Sequence, residues 1–273
     1  MTRNYIDLAN KYIDDVLTGK VLACNYVKLS CQRQKNDLKR KRWEYHFDEV
    51  RASRVCKFIE LLTHVKGPLA GHHIKLEPWQ IFILTTVFGW VDKQGFRRYQ
   101  QVYIEVPRGN GKSALSSGVA LYMLCADGEK GADVYSFATT RDQAAIVFND
   151  AQAMARANSN LKAAFGLSVL AKSLVVLGTN SKFLAKSADA STLDGLNTHC
   201  GIIDELHAHK TREVYEVVQT SIGKRSQPLL WCITTAGFTL DGICMEVRRF
   251  VTKILKGDVK EESQFGIIYS LDD

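Results

Sequence analysis

The sequence predicts an α/β fold, a mainly parallel central sheet flanked by helices, with a helical N-terminal extension. Three observations predict it. From Gln101 onward, short apolar runs rich in Val and Ile alternate with amphipathic stretches, the pattern of strands covered by helices on both faces. A glycine-bearing turn joins the first of those runs directly to a helical stretch. The first hundred residues instead place apolar residues three and four apart in a polar, basic background.

In chain order, Tyr5 to Leu17 and Phe47 to Val65 have helical spacing, and Gln32 to Arg42 (QRQKNDLKRKR) is a charge run. That run reads as a solvated helix face, or more sharply as a contact for DNA phosphates. Strands are predicted at Gln101 to Val106, Asp133 to Ala138, Leu174 to Leu177, His199 to Asp204 and Leu229 to Thr235. Helices are predicted near Lys112 to Ala126, Arg141 to Ala157 and Thr211 to Ile222. These elements divide the chain into a helical extension, 1–75, packed on a core, 76–273.

The totals narrow the class. A hydrophobic share of 46% and a charged share of 24% over 273 residues suit a globular chain with a substantial core. The apolar runs Val119 to Ala126 and Leu229 to Ile233 are far shorter than the roughly 20 residues a membrane helix needs. The N-terminus has acidic residues where a signal peptide would be apolar, so a cytosolic protein is expected. The seven cysteines are odd in number and never spaced C-x-x-C, which argues against a disulfide framework or a zinc site. A net charge of +7 leans toward a polyanionic partner such as nucleic acid.

The chemistry centres on Val106-Pro107-Arg108-Gly109-Asn110-Gly111-Lys112-Ser113. This stretch nearly fits the phosphate-cradling pattern G-x-x-x-x-G-K-[ST], with Val106 in place of the first glycine. It follows a strand and opens a helix, the context in which such a loop works. Gly109 and Gly111 let backbone N–H groups turn toward phosphate, and the helix adds the positive end of its dipole. Lys112 would then reach the β- and γ-phosphates of ATP and Ser113 would bind Mg²⁺. Arg108, inside the loop, is placed to sense the γ-phosphate.

A second motif is Cys200 to His209 (CGIIDELHAH), an apolar strand ending in two acids. Asp204 suits the magnesium, and Glu205 suits a base that polarises a water for in-line attack. Gln80, in Leu76-Glu77-Pro78-Trp79-Gln80, could read an adenine edge, with a helix cap as the plain alternative. Thr234 and Thr235 end the next strand, where a hydroxyl can feel the γ-phosphate. Ala138 to Gln143, which ends the strand that follows the loop helix, could couple to a polymer, with a helix cap or an ordinary turn as the plain alternative. His207 and His209 lie two apart and point differently, so a zinc pair is not expected. Trp79, Phe88 and Trp90 read as core.

Taken together, the blocks YVKLSCQRQKNDL, FIELLTHVKGPLAGHHIKLEPWQIFIL, VPRGNGKS, VYSFATTRDQA, DGLNTHCGIIDELHAHK and SQPLLWCITTAG resemble the ATPase domain of the large terminase subunit of tailed bacteriophages. The resemblance implies a phosphate-loop NTPase of the additional-strand, catalytic-glutamate type. It implies an ATP hydrolase that acts with a small terminase subunit, docks on a capsid portal as a ring of five copies and pumps double-stranded DNA into a procapsid. That setting is the host cytoplasm, away from membranes. It assigns Gln80 to adenine, the loop Pro107 to Ser113 with Arg108, Lys112 and Ser113 to phosphate and Mg²⁺, Asp204 to Mg²⁺, Glu205 to catalysis, and Thr234 and Thr235 to coupling.

Two departures are expected to matter. The chain stops at IIYSLDD, about where the family's nuclease domain would begin, so no DNA cleavage is expected of it and a longer parent protein is. Some relatives carry an arginine just ahead of the acidic strand, where this chain has Asp194-Gly195. Arg225, Arg212 and Lys186 are the candidates for a cation acting in a neighbour's site. The competing readings are a helicase-like ATPase, which generally needs a second motor domain, and a scaffold that binds nucleotide without hydrolysing it.

Overall fold

Alternation of side chains along the apolar strands decides which helices cover which face. The computed structural model describes residues 3–139, 141–187, 195–209, 211–237 and 241–272. In chain order it contains α1 (Tyr5–Leu17), α2 (Asn25–Asp37), β1 (Tyr45–Phe47), α3 (Glu49–Glu60), α4 (Pro78–Gly89) and β2 (Trp90–Asp92). There follow β3 (Gln101–Glu105), α5 (Lys112–Cys125), β4 (Asp133–Ala138), α6 (Arg141–Ala157), α7 (Ser159–Phe165), β5 (Leu167–Val169), β6 (Leu174–Val176) and β7 (Ser181–Ser187). The remaining elements are β8 (Thr198–Asp204), α8 (Glu213–Ser221), β9 (Leu229–Thr234), α9 (Ile243–Lys256) and β10 (Gln264–Ile268).

The strands form an eight-stranded sheet in the order β10-β3-β9-β8-β4-β7-β6-β5. Pairing is parallel from β10 through β7 and antiparallel at β6 and β5. Val102, Ile104, Cys200, Ile202, Trp231 and Ile233 face the layer that contains α5 and α6. The intervening Tyr103, Ile203, Leu230 and Cys232 face α8 and α9, as a two-residue period requires. Among the described residues, no helix is long and apolar enough to cross a membrane.

The fold class is as the sequence predicts, and β4 and α6 have the expected bounds. Leu174 to Leu177 differs: its first three residues form an antiparallel strand next to the sheet's edge strand β5. The helix expected over Phe47 to Val65 is only Glu49–Glu60, because Asp48 caps it by accepting from the N–H groups of Val50 and Arg51. Phe47 belongs instead to β1, paired with β2.

The charge run needs a larger correction. Only its first part is helical, and several of its charges turn inward. Arg33 donates to the carbonyls of Gln264 and Glu261 at 2.8 and 2.7 Å. Asp37 accepts from Arg98 at 2.8 Å, and Arg98, 1% exposed, also donates to Glu262 at 2.5 Å. The Arg98 guanidinium lies 4.4 Å from the ring centres of both Trp43 and Tyr99, a desolvated cation on aromatic faces. Arg33 and Asp37 thus fasten α2 to the sheet, while Lys39 to Arg42 stay exposed as a solvated face would. The same core continues under α1, α3 and α4. There Ile59 of α3 packs so closely on Gly118 of α5 that a Cβ at that glycine would stand 3.1 Å from it.

Candidate active site

The loop between β3 and α5 leaves the carboxyl end of the sheet, where parallel α/β folds collect their ligands. Val106, 3% exposed, is core, and its N–H donates to Thr234 O at 3.0 Å. The position of the missing glycine is thus still strand-like and tolerates a β-branched residue. The turn itself uses the two glycines that remain: Gly109 has φ 83° and Gly111 φ 68°, values that L side chains rarely adopt. Asn110 Nδ2 donates to the carbonyls of Pro107 and Arg108 at 3.0 and 3.3 Å, bracing the turn. Pro107, Arg108, Gly109, Asn110 and Gly111 are exposed, whereas Lys112 is 8% exposed at the first position of α5.

The residues at the tip of β8 complete the site. Asp204 continues the alternation of Cys200 and Ile202 and so faces α5, where its Oδ2 accepts from Ser113 Oγ at 3.1 Å. Burial pushes the Asp204 carboxyl up to about 6, and the neighbouring Glu205 charge adds to the shift. Glu205 has φ 53°, a left-handed conformation that costs a non-glycine residue roughly 1–2 kcal/mol. Its side chain spans the gap to β9 and α5. Oε2 accepts from Thr235 N and Thr235 Oγ1 at 3.2 and 3.3 Å, while Oε1 lies 3.4 Å from Lys112 Nζ. β9 reaches this position because it is the extra strand between β3 and β8.

Gln80 is doubly placed. Its Oε1 accepts from Glu77 N at 2.9 Å, the reciprocal cap of α4. Its Nε2 lies 4.0 Å from the point a Cβ on Gly111 would occupy. Between them runs a cavity of about 160 Å³, lined by Ile59, His64, Leu69, Gly111 and Leu115 among others. A larger cavity of about 800 Å³, between α3, the end of α5 and α7, lies at the opposite end of α5 and takes no part in this site.

The three candidate trans-acting cations have different surroundings. Arg225 is tied into its own subunit by Glu129 at 2.9 Å and by Gly131 O at 2.6 Å. Arg212 is exposed and contacts Glu216 and Glu246 at 2.9 and 3.2 Å. Lys186 lies 5.9 Å from the Tyr135 ring centre, on the carboxyl half of β7. Asp194 and Thr140 lie outside the described residues, as do the side chains of Arg141 and Asp142. Trp90 and Phe88 are buried, and Trp79 packs edge-on against Tyr269. His207 and His209 face different neighbours: His207 contacts Thr234 and Glu205, while His209 Nε2 is buried with no hydrogen-bond partner among the described residues.

Residues 78–253 match the family described as terminase large subunit, ATPase domain. The chain belongs to that family. The terminase large subunit of Enterobacteria phage HK97 is 30% identical over 190 residues, 68% of this chain and 37% of that protein. Protein YmfN of Escherichia coli K12 is 45% identical over 80 residues, 29% of this chain and 18% of that protein. The crystal structure of the HK97 large terminase superposes with a TM-score of 0.67 and 26% identity over 81% of this chain and 44% of the other. This terminase ATPase domain therefore spans less than half the length of each of these relatives. Family membership carries nucleotide binding and ATPase activity as a general expectation.

Proposed function

We propose that this chain is the ATP-hydrolysing motor of a DNA-packaging terminase and that the loop Pro107 to Ser113 holds the triphosphate. The observation that carries the reading is the 3.1 Å approach of Ser113 Oγ to Asp204 Oδ2, beside the 3.4 Å approach of Lys112 to Glu205. A phosphate loop and an acidic strand tip 91 positions apart meet there. The donor set also fits magnesium. Two hard oxygens lying 3.1 Å apart suit neighbouring corners of an octahedron with ligand distances of roughly 2.0–2.1 Å, whose corners are about 2.9 Å apart. Ser113 and Asp204 would hold the ion, which supplies charge neutralisation at the phosphates.

The chain's own residues do the rest. Backbone amides around Gly109 and Gly111 take phosphate oxygens at the positive end of α5. Lys112 moves from Glu205 to phosphate, and Arg108 reaches in from the exposed part of the loop. Adenine lies against Gln80, whose NH₂ group remains available while its oxygen caps α4. Release of Lys112 leaves Glu205 as the base that polarises the attacking water, with Thr234 and Thr235 relaying the state of the site. A neighbouring subunit supplies a further cation. Arg225 suits that role least, because its side chain is 12% exposed and held by Glu129 and Gly131, whereas the ion-paired Arg212 is 58% exposed. Such an arginine is worth roughly 10³ to 10⁵ in rate in related systems. The partners in this reading are double-stranded DNA, a small terminase subunit and further copies in a ring, five in number, on a portal, all in the host cytoplasm at the procapsid.

Phosphate release measured with duplex DNA tests the reading. Glu205→Gln should bind magnesium-ATP with little change and lose nearly all turnover, while Lys112→Ala should weaken binding as well. Sustained turnover in Glu205→Gln would remove the base from its role.

A further inference from the structure

His207 stands between the acidic tip of β8 and the end of β9, and nothing in the phosphate chemistry uses it. Its backbone N–H donates to Thr234 Oγ1 at 3.1 Å. Its ring Nδ1 lies 2.9 Å from Thr234 Oγ1, 3.2 Å from Glu205 Oε2 and 3.4 Å from Thr235 Oγ1. The proton inventory around Nδ1 decides its role. Thr234 donates its only hydroxyl proton to Thr235 O at 2.9 Å, and Thr235 donates its own to Glu205 Oε2 at 3.3 Å. A carboxylate has none to give. With the threonine hydroxyls directed at Thr235 O and Glu205 Oε2, all three neighbours of Nδ1 present acceptors, and the tautomer that satisfies the cluster is the one with its proton on Nδ1.

The ring is also held from behind. A Cβ on Gly237 would stand 3.1 Å from His207 Cβ, so the backbone after β9 closes on the histidine. Glu205 has left the strand conformation at φ 53°, which carries its carboxylate into reach of Nδ1. The same glutamate in extended backbone would direct its side chain elsewhere.

We propose that His207 is a positioning residue for hydrolysis: an Nδ1–H donor that ties the Glu205 carboxylate to the Thr234 hydroxyl. Glu205 then takes its water-polarising orientation only in step with the end of β9. That strand adjoins β3, which leads into the phosphate loop, and β8, which carries the acids, so one histidine links the base to the strand between both motifs. The proposal rests on Glu205 being the base.

Three variants and one spectroscopic measurement on the whole chain test it. His207→Ala should lower kcat on the order of 10²-fold, the effect of a base held about 1 Å out of place, with KM for ATP changed by less than about threefold. His207→Asn, which keeps an N–H donor at the position of Nδ1, should recover most of that loss, and Thr234→Val should resemble His207→Ala. In ¹⁵N-histidine spectra of the wild type, the resonance lost in His207→Asn should be that of an Nδ1–H tautomer. An Nε2–H tautomer would overturn the proposal whether or not the chain hydrolyses ATP. Equal loss in the alanine and asparagine variants, or a loss confined to KM, would overturn it as well. Absence of wild-type turnover with duplex DNA would instead sink the ATPase reading, and this proposal with it.

Discussion

Arg248 Nε donates to Glu105 Oε2 across 3.0 Å, two elements far apart in sequence joined at the last residue of β3. Glu105 follows Tyr103 on the face toward α9, and the Tyr103 hydroxyl gives it a second bond at 2.8 Å. With its side chain 3% exposed, this carboxylate loses its only ion-pair partner among the described residues if Arg248 is removed. Arg248→Ala is expected to destabilise the chain by about 2–3 kcal/mol, below the usual range for a fully buried pair because Arg248 itself is partly exposed. Arg248→Lys should recover part of the loss. Urea denaturation, with a lower midpoint and an unchanged slope, is the check.

Val106→Gly would restore the first glycine of the loop pattern, and it is expected to do harm. Val106 is 3% exposed and lies in the main core. Removing its isopropyl group and adding glycine's backbone freedom should cost about 2–4 kcal/mol. The N–H to Thr234 O is kept, and in the proposed site phosphate would be held by Gly109 and Gly111, so calorimetry should find magnesium-ATP affinity no tighter than in the wild type.

His209 predicts an acid limb in stability. Burial, with His207 adding repulsion, lowers it from 6.5 to about 4. Between those values the unfolded chain binds a proton that the folded chain does not, so the His209 contribution to stability falls as pH drops below about 6.5 and levels off near 4, while Asp204, raised to about 6, contributes in the opposite sense over much of the same window. The His209 part amounts to roughly 3 kcal/mol. His209→Leu should therefore gain stability relative to the wild type as pH falls from 6.5 to 4, as followed by denaturation of both at a series of pH values. An unchanged slope would clear His209 of the effect.

What the sequence disclosed was local. Strand, loop and helix from Gln101 to Cys125 could be read because the apolar alternation, the two glycines and Lys112-Ser113 all lie within a few residues of one another. Asp204 and Glu205 were legible as acids closing an apolar run. Their meeting with Ser113 and Lys112 was expected from the pairing of an acidic strand tip with a phosphate loop, which the geometry supports. The strands β7 and β10 went unread: β7 carries two lysines and two serines, and β10 is five residues with no strong turn signal before it. The Arg98–Asp37–Glu262 group was invisible for a different reason. Its members are 61 and 164 positions apart, and a charge whose partners are that distant reads as surface. The setting of His207 depends on the φ of Glu205, a backbone choice that residue type does not announce.

The contact of Ile59 with Gly118 sets a lower limit on what can be inherited as a unit. The segment recognised by family likeness begins at residue 78, yet the helix that bears the phosphate loop rests its underside on a residue nineteen places earlier. Shuffled alone into another protein, that segment would arrive with a bare apolar flank, and its host would have to provide a substitute for α3. Selection on the chemistry of the loop therefore also acts on helices that lie far from it.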